Sequence, residues 1–192
     1  MSASPVRLVL GLGNPGPEYE GTRHNVGFEA LDLLAGRLGR GFHKKGRALL
    51  CKGELAEQRY VLAKPTTFMN LSGRAARDLL AEQDGPVEML VLCDDFHLPL
   101  GRMRCRKKGS SGGQNGLASI LELVGEQPVP RLRLGIGDPG RMPAERFVLE
   151  RFKRAEQPVA HEMCERAAWL IEDWLADGDF ERLLREANTA PA

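Results

Sequence analysis

Val6-Arg-Leu-Val-Leu-Gly-Leu-Gly-Asn-Pro-Gly16, followed by Thr22-Arg-His-Asn-Val-Gly27, decides how this chain is read. Residues 7–12 form a short, largely apolar run that ends in glycine, the pattern of a buried strand. Two functions compete for the turn after it. Gly11, Gly13 and Gly16 satisfy the G-x-G-x-x-G spacing of a dinucleotide-binding loop. The same turn can instead place Asn14 and His24 at the rim of a hydrolytic site. The dinucleotide reading needs amide donors and a helix N-terminus facing a pyrophosphate. Pro15 and Pro17 lack the amide proton, Glu18 and Glu20 add negative charge, and the next helical pattern begins only at 25. The hydrolytic reading is the better of the two.

Beyond this stretch, apolar periodicity predicts helices over residues 25–38, 71–83, 117–124 and 159–174, with Gly178 as a C-cap. It predicts strands over 48–55, 59–63, 87–93 and 131–137, the first two joined by Ala56-Glu-Gln58. A short helix over 179–186 follows, and 187–192 are expected to be a disordered tail. Strands alternate with helices throughout. That order implies an α/β fold: one domain over 1–186, with a central twisted, mixed and mostly parallel sheet flanked by helices on both faces. Sites in such sheets gather at the carboxyl ends of the strands, here Asn14, Cys93-Asp94-Asp95 and the segment 135–138.

Composition narrows the class of protein. The 192 residues carry a net charge of +1, so affinity for nucleic acid must come from local clusters. The four cysteines, at 51, 93, 105 and 164, include no C-x-x-C pair, which argues against zinc and for free thiols in a reducing cytoplasm. The chain shows neither a secretory signal nor an apolar run long enough to span a membrane.

Three further features carry chemistry. His24 is either a histidine bonded to backbone at a helix start or a general base, and a base needs a carboxylate to fix its tautomer. Asp94, at the end of a strand, is the best-placed partner, with Asp95 facing the other way. Asn14, Asn70 and Asn115 each stand beside a glycine-bearing junction. Each can be a local cap or turn, or can grip a peptide-like backbone through its amide. Residues 102–108 hold five cations in seven positions. If extended, they put Arg102, Arg104 and Arg106 on one face, opposite Met103 and Cys105. Next to Gly109-Ser-Ser-Gly-Gly113, that face suits a phosphate-bearing partner better than plain solvent.

Five motifs stand in a fixed order: Gly11-Leu-Gly-Asn-Pro-Gly16, Thr22-Arg-His-Asn-Val-Gly27, Lys64-Pro-Thr-Thr-Phe-Met-Asn-Leu-Ser-Gly73, Gly109-Ser-Ser-Gly-Gly-Gln-Asn-Gly-Leu117 and Arg131-Leu-Arg-Leu-Gly-Ile-Gly137. Taken together they resemble the bacterial-type peptidyl-tRNA hydrolases over almost the whole chain. The resemblance implies a monomeric, cytoplasmic α/β enzyme that cleaves the ester between a peptide and the 3′-terminal ribose of tRNA, using no metal or organic cofactor. It assigns His24 as catalytic base and Asp94 as its support. It assigns Asn14, Tyr19, Phe68, Met69, Asn70 and Asn115 to substrate binding, and Arg102, Arg104, Arg106, Lys107 and Arg133 to the tRNA phosphates. Some relatives bind RNA and serve splicing without hydrolysis, which is the alternative reading. Three positions depart from the family pattern: Gln114 for histidine, His97 for aspartate and Asp138 for histidine. They bear on lid behaviour and substrate affinity more than on reaction type.

Overall fold

Every residue of the first strand, β1 (Val6–Gly11), is buried, because β1 lies at the centre of a seven-stranded sheet and is covered on both faces. The computed structural model describes residues 4–125 and 127–189. After β1 come α1 (Val26–Arg37), β2 (His43–Lys45), β3 (Ala48–Leu55), β4 (Gln58–Pro65) and α2 (Ser72–Ala81). They are followed by β5 (Val87–Asp95), β6 (Met103–Arg106), α3 (Asn115–Val124), β7 (Arg131–Gly135), α4 (Ala144–Phe147), α5 (Gln157–Asp177) and α6 (Phe180–Thr189). Single 3-10 turns cover Pro17–Tyr19, Arg23–Asn25 and Met69–Leu71.

The strand order is β2-β3-β4-β1-β5-β7-β6. β4, β1, β5 and β7 are mutually parallel, so their carboxyl ends share one edge of the sheet. Antiparallel pairing is confined to the flanks, β2 with β3, β3 with β4, and β6 with β7. The sheet is therefore mixed, as expected, with its parallel part in the middle.

Period-2 geometry divides the apolar residues between two cores. Val9 packs with Leu31, Ala167 and Ile171 beneath α1 and α5, while Leu8 and Leu10 face Ala76, Leu117 and Ile120 of α2 and α3. Arg7 is the exception inside a buried strand. Its Nη1 donates to the Leu175 carbonyl at 2.7 Å, satisfying an orphan acceptor near the C-terminal end of α5, and Glu88 pairs with its Nε at 3.0 Å. All four cysteines are free and buried. Burial pushes the thiols of Cys93 and Cys105 up to about 12.

Four elements differ from expectation, one of them the four-residue α4, which was not anticipated. The β3–β4 turn uses only Ala56 and Glu57, both in the left-handed region at φ 48° and 63°, and Gln58 already belongs to β4. That conformation matches the right-handed twist of a tight hairpin. β2 was not anticipated and exists through its pairing with β3. The tail expected to be disordered from 187 is instead helical through Thr189. Ala187 is buried, and the Asn188 side chain accepts from the Cys105 amide at 3.0 Å and donates to the Cys105 carbonyl at 3.1 Å. Asn188 thereby closes the open side of the edge strand β6, where unpaired backbone would otherwise face solvent. Residues 190–192 lie outside the described residues.

The glycines of the opening motif serve packing. A Cβ on Gly27 would meet the Leu12 carbonyl oxygen at 2.6 Å and the Leu12 nitrogen at 2.7 Å, both rigid backbone. Gly27 therefore lets the start of α1, and the turn carrying His24, lie directly against the end of β1. Gly27→Ala is expected to destabilise the fold by about 1–3 kcal/mol, the usual range for overpacking, and to lower the denaturant midpoint without changing its slope. A midpoint equal to wild type would show that the contact is easily relieved.

Candidate active site

The turn Arg23–Asn25 leads straight into α1 and has all three of its residues buried. Its backbone is tied to a distant part of the chain: Arg23 N–H donates to the Glu150 carbonyl at 3.0 Å and His24 N–H to the Val148 carbonyl at 2.8 Å. The Arg23 side chain reinforces the tie. Nη1 donates to the Ile136 carbonyl at 3.0 Å, Nη2 meets Glu156 at 2.6 Å, and the guanidinium lies over Phe147 and Phe152, 4.5 and 4.7 Å from the ring centres. Burial alone would raise the Glu156 carboxyl, but the Lys153 amide and the Arg23 guanidinium together hold it below its usual range.

His24 reaches the end of β5, where its Nδ1 lies 2.9 Å from Asp94 Oδ1. Asp94 is 2% exposed and His24 8%. A carboxylate can only accept, so this bond places the proton on Nδ1 and leaves Nε2 unprotonated when the ring is neutral. Nε2 has no protein hydrogen-bond partner among the described residues. Asp95 turns away from Asp94, accepting from the His97 amide at 2.8 Å and from Arg133 Nη1 at 3.2 Å.

The amides around the pair have fixed orientations. Asn14 Oδ1 accepts from the Met69 N–H at 2.8 Å, which leaves Asn14 Nδ2 as the free donor. Asn14 and Asn25 also form a reciprocal pair: the Asn14 N–H donates to Asn25 Oδ1 and Asn25 Nδ2 donates to the Asn14 carbonyl, each at 2.9 Å. Gln114 Nε2 donates to Asp94 Oδ1 at 3.0 Å and lies 3.3 Å from Met69 Sδ, while its Oε1 accepts from the Leu117 amide at 2.7 Å. Gln114 is thus the N-cap of α3, and Asn115 is the first residue of the helix with its side chain exposed. A cavity of ≈ 280 Å³ is lined by His24, Asp94, Gln114, Asn115, Arg133 and Val148, among others.

The structure therefore joins His24, Asp94, Asn14 and Met69 in one hydrogen-bonded network and sets Asn115 on the cavity wall. Asn70 and Phe68 are exposed beside Met69, and Tyr19 is half-buried in its own turn. None of these three makes a side-chain hydrogen bond to the network among the described residues. Asn25, Arg23 and the capping role of Gln114 were missed. Arg23 depends on partners more than a hundred positions away, Asn25 on the turn that brings Asn14 back to it, and the cap on which of two adjacent amides faces the Leu117 N–H.

The cations divide. β6 is extended, with Met103 and Cys105 buried and Arg104 and Arg106 exposed, the alternation expected of the segment. Lys107 is exposed and pairs with Glu181, and Arg102 is half-buried. Arg133, expected at the phosphates, lies at the cavity wall, where it is buried, bonded to Asp95, and donates through Nη2 to the carbonyls of Ser110 and Ser111 at 3.0 and 2.9 Å. Arg131 likewise holds the Gly109 carbonyl at 2.8 Å. The two arginines shape the glycine-rich loop from beneath. Among the described residues, no helix is long and apolar enough to cross a membrane.

Comparison with known proteins identifies the family. A family model for peptidyl-tRNA hydrolase matches residues 8–192. The chain is 43% identical to the peptidyl-tRNA hydrolase of Elusimicrobium minutum over 186 residues, which is 95% of this chain and 99% of the relative. It is 49% identical to that of Parasynechococcus marenigrum over 166 residues, 81% of each. The crystal structure of peptidyl-tRNA hydrolase from Acinetobacter baumannii superposes with a TM-score of 0.82 at 29% identity, over 98% of both chains. A 5′-methylthioadenosine nucleosidase from Arabidopsis thaliana, at 10% identity and a TM-score of 0.54, shares only the fold. The chain belongs to the peptidyl-tRNA hydrolase family, and it is a hydrolase.

Proposed function

We propose that the chain hydrolyses the ester between a peptide, or an N-blocked amino acid, and the 3′-terminal ribose of tRNA, with His24 as general base. The observation that carries this reading is the buried Asp94–His24 bond at the wall of a cavity, which leaves Nε2 bare. Nε2 takes a proton from a water as the water oxygen attacks the ester carbonyl. Asp94 stabilises the imidazolium so formed. The carbonyl oxygen becomes an oxyanion, for which Asn14 Nδ2 and the Asn115 amide are the available donors. Collapse of the tetrahedral species breaks the bond to the ribose oxygen, which leaves with the proton held by His24. The products are tRNA and the free peptide acid, and no covalent link to the enzyme is needed. Arg104 and Arg106, exposed on the outer face of β6, meet tRNA phosphates in this reading.

His24→Ala is expected to lower kcat by roughly 10²–10⁴-fold on an N-blocked aminoacyl-tRNA, the scale of a positioned general base. Near-wild-type turnover by that variant rules out His24 as the base. If the wild-type protein binds tRNA but never turns it over, the non-catalytic RNA-binding reading stands instead.

Reversing both Arg104 and Arg106 to Glu should weaken tRNA binding and reduce the slope of log K against log salt by about one per lost phosphate contact. An unchanged slope would assign that face to solvent.

A further inference from the structure

We propose that Gln114 is a positioning residue: through its amide, α3 holds the Asp94 carboxylate in the orientation that keeps Nδ1 of His24 protonated and Nε2 free. This rests on the reading of His24 as the base.

The amide cannot be turned the other way. The Leu117 N–H is a donor only, so the group facing it at 2.7 Å is the Gln114 oxygen. The NH₂ group must then face Asp94 Oδ1 at 3.0 Å and Met69 Sδ at 3.3 Å, and each of its hydrogens has an acceptor. The cap anchors the amide to a helix whose Leu117 and Ile120 are fully buried against the sheet. Asp94 Oδ1 thus receives two donors: one from the base it serves, and one from a rigid element that takes no part in proton transfer. Two donors on one oxygen restrict rotation of the carboxylate at the strand end, which His24 alone would leave free to follow the ring.

The titratable and charged side chains that share the cavity wall are His24, Asp94, Asp95, Arg133 and Glu145. Asp95 and Arg133 are paired with each other. Gln114 is neutral at every pH, so it holds Asp94 in the same way whether His24 carries one proton or two.

Gln114→Thr separates the two bonds of this residue. A Thr hydroxyl still accepts from the Leu117 amide and keeps the helix cap, but it is too short to reach Asp94. We expect kcat to fall roughly 10–100-fold, the range for losing a hydrogen bond to a charged group, with KM little changed. The acid limb of the kcat/KM profile should move to higher pH, because a carboxylate with one donor fewer favours the imidazolium more strongly. Gln114→His, whose ring N–H can reach Asp94, should recover most of kcat while adding a second titrating group that steepens the acid limb.

Wild-type kcat with an unmoved acid limb in Gln114→Thr overturns the inference. So does a parallel loss of kcat and thermal stability in both variants with no change in the pH profile, which marks a purely structural role. Should Gln114→Thr fail to fold, the Gln114→His profile decides, two titrating groups supporting the inference and one overturning it. If His24→Ala is inactive while Gln114→Thr behaves as wild type, only this inference fails. If His24→Ala is active, the reading of the base itself fails.

Discussion

A carboxylate that is 2% exposed needs donors in place of the water it has lost, and Asp94 is such a group. Its position at the carboxyl end of β5, in the parallel centre of the sheet, puts it within reach of three segments. One carries His24 and packs at the start of α1. One carries Gln114 at the start of α3. The third, the β1 exit with Asn14, joins them through Met69. The sheet supplies the rigid edge, and burial of one charge requires the surrounding donors to be in place. Removing any one of them leaves a buried acceptor short of a partner.

His24 is held from the opposite side as well. Arg23 lies beside His24 in sequence but points away from Asp94, into Phe147, Phe152, Glu156 and the Ile136 carbonyl. The segment from the end of β7 to the start of α5 therefore fixes the backbone of the turn, while β5 fixes the imidazole. A side chain held at both ends loses little freedom when it reacts, which is the condition for efficient general-base catalysis.

Much of this was legible in the sequence, for physical reasons that differ element by element. β1 and β5 are apolar runs that end where the chain must turn, so burial on two faces announces them. The basic segment reads correctly because its alternation of Met103 and Cys105 with arginines has the period of a strand. β2 does not read, since His43-Lys-Lys45 is exposed throughout and becomes a strand only by pairing with β3. α4 spans four residues, too few for any helical period.

The site was legible where chemistry demands a residue type and obscure where geometry chooses among several. His24 and Asp94 stand out in the sequence as a candidate base and its carboxylate, and the fold brings them to 2.9 Å. The cap of α3 was open to Asn115, a better capping residue by propensity, yet the longer Gln114 reaches both the helix amide and Asp94. The burial of Arg133 does not read from the sequence, because its partner, Asp95, sits 38 positions away. A buried arginine and an exposed one look the same in a sequence until the fold supplies the acceptor.

In the proposed mechanism Asp94 keeps hydrogen on Nδ1 of His24, so that Nε2 serves as the base. Nitrogen-15 NMR of the histidine-labelled protein at a pH where the ring is neutral reads this directly. The proposed mechanism requires a protonated Nδ1 and a bare Nε2 for His24, with that preference lost in Asp94→Ala. A resonance pattern showing the proton on Nε2 in the wild-type protein would contradict it.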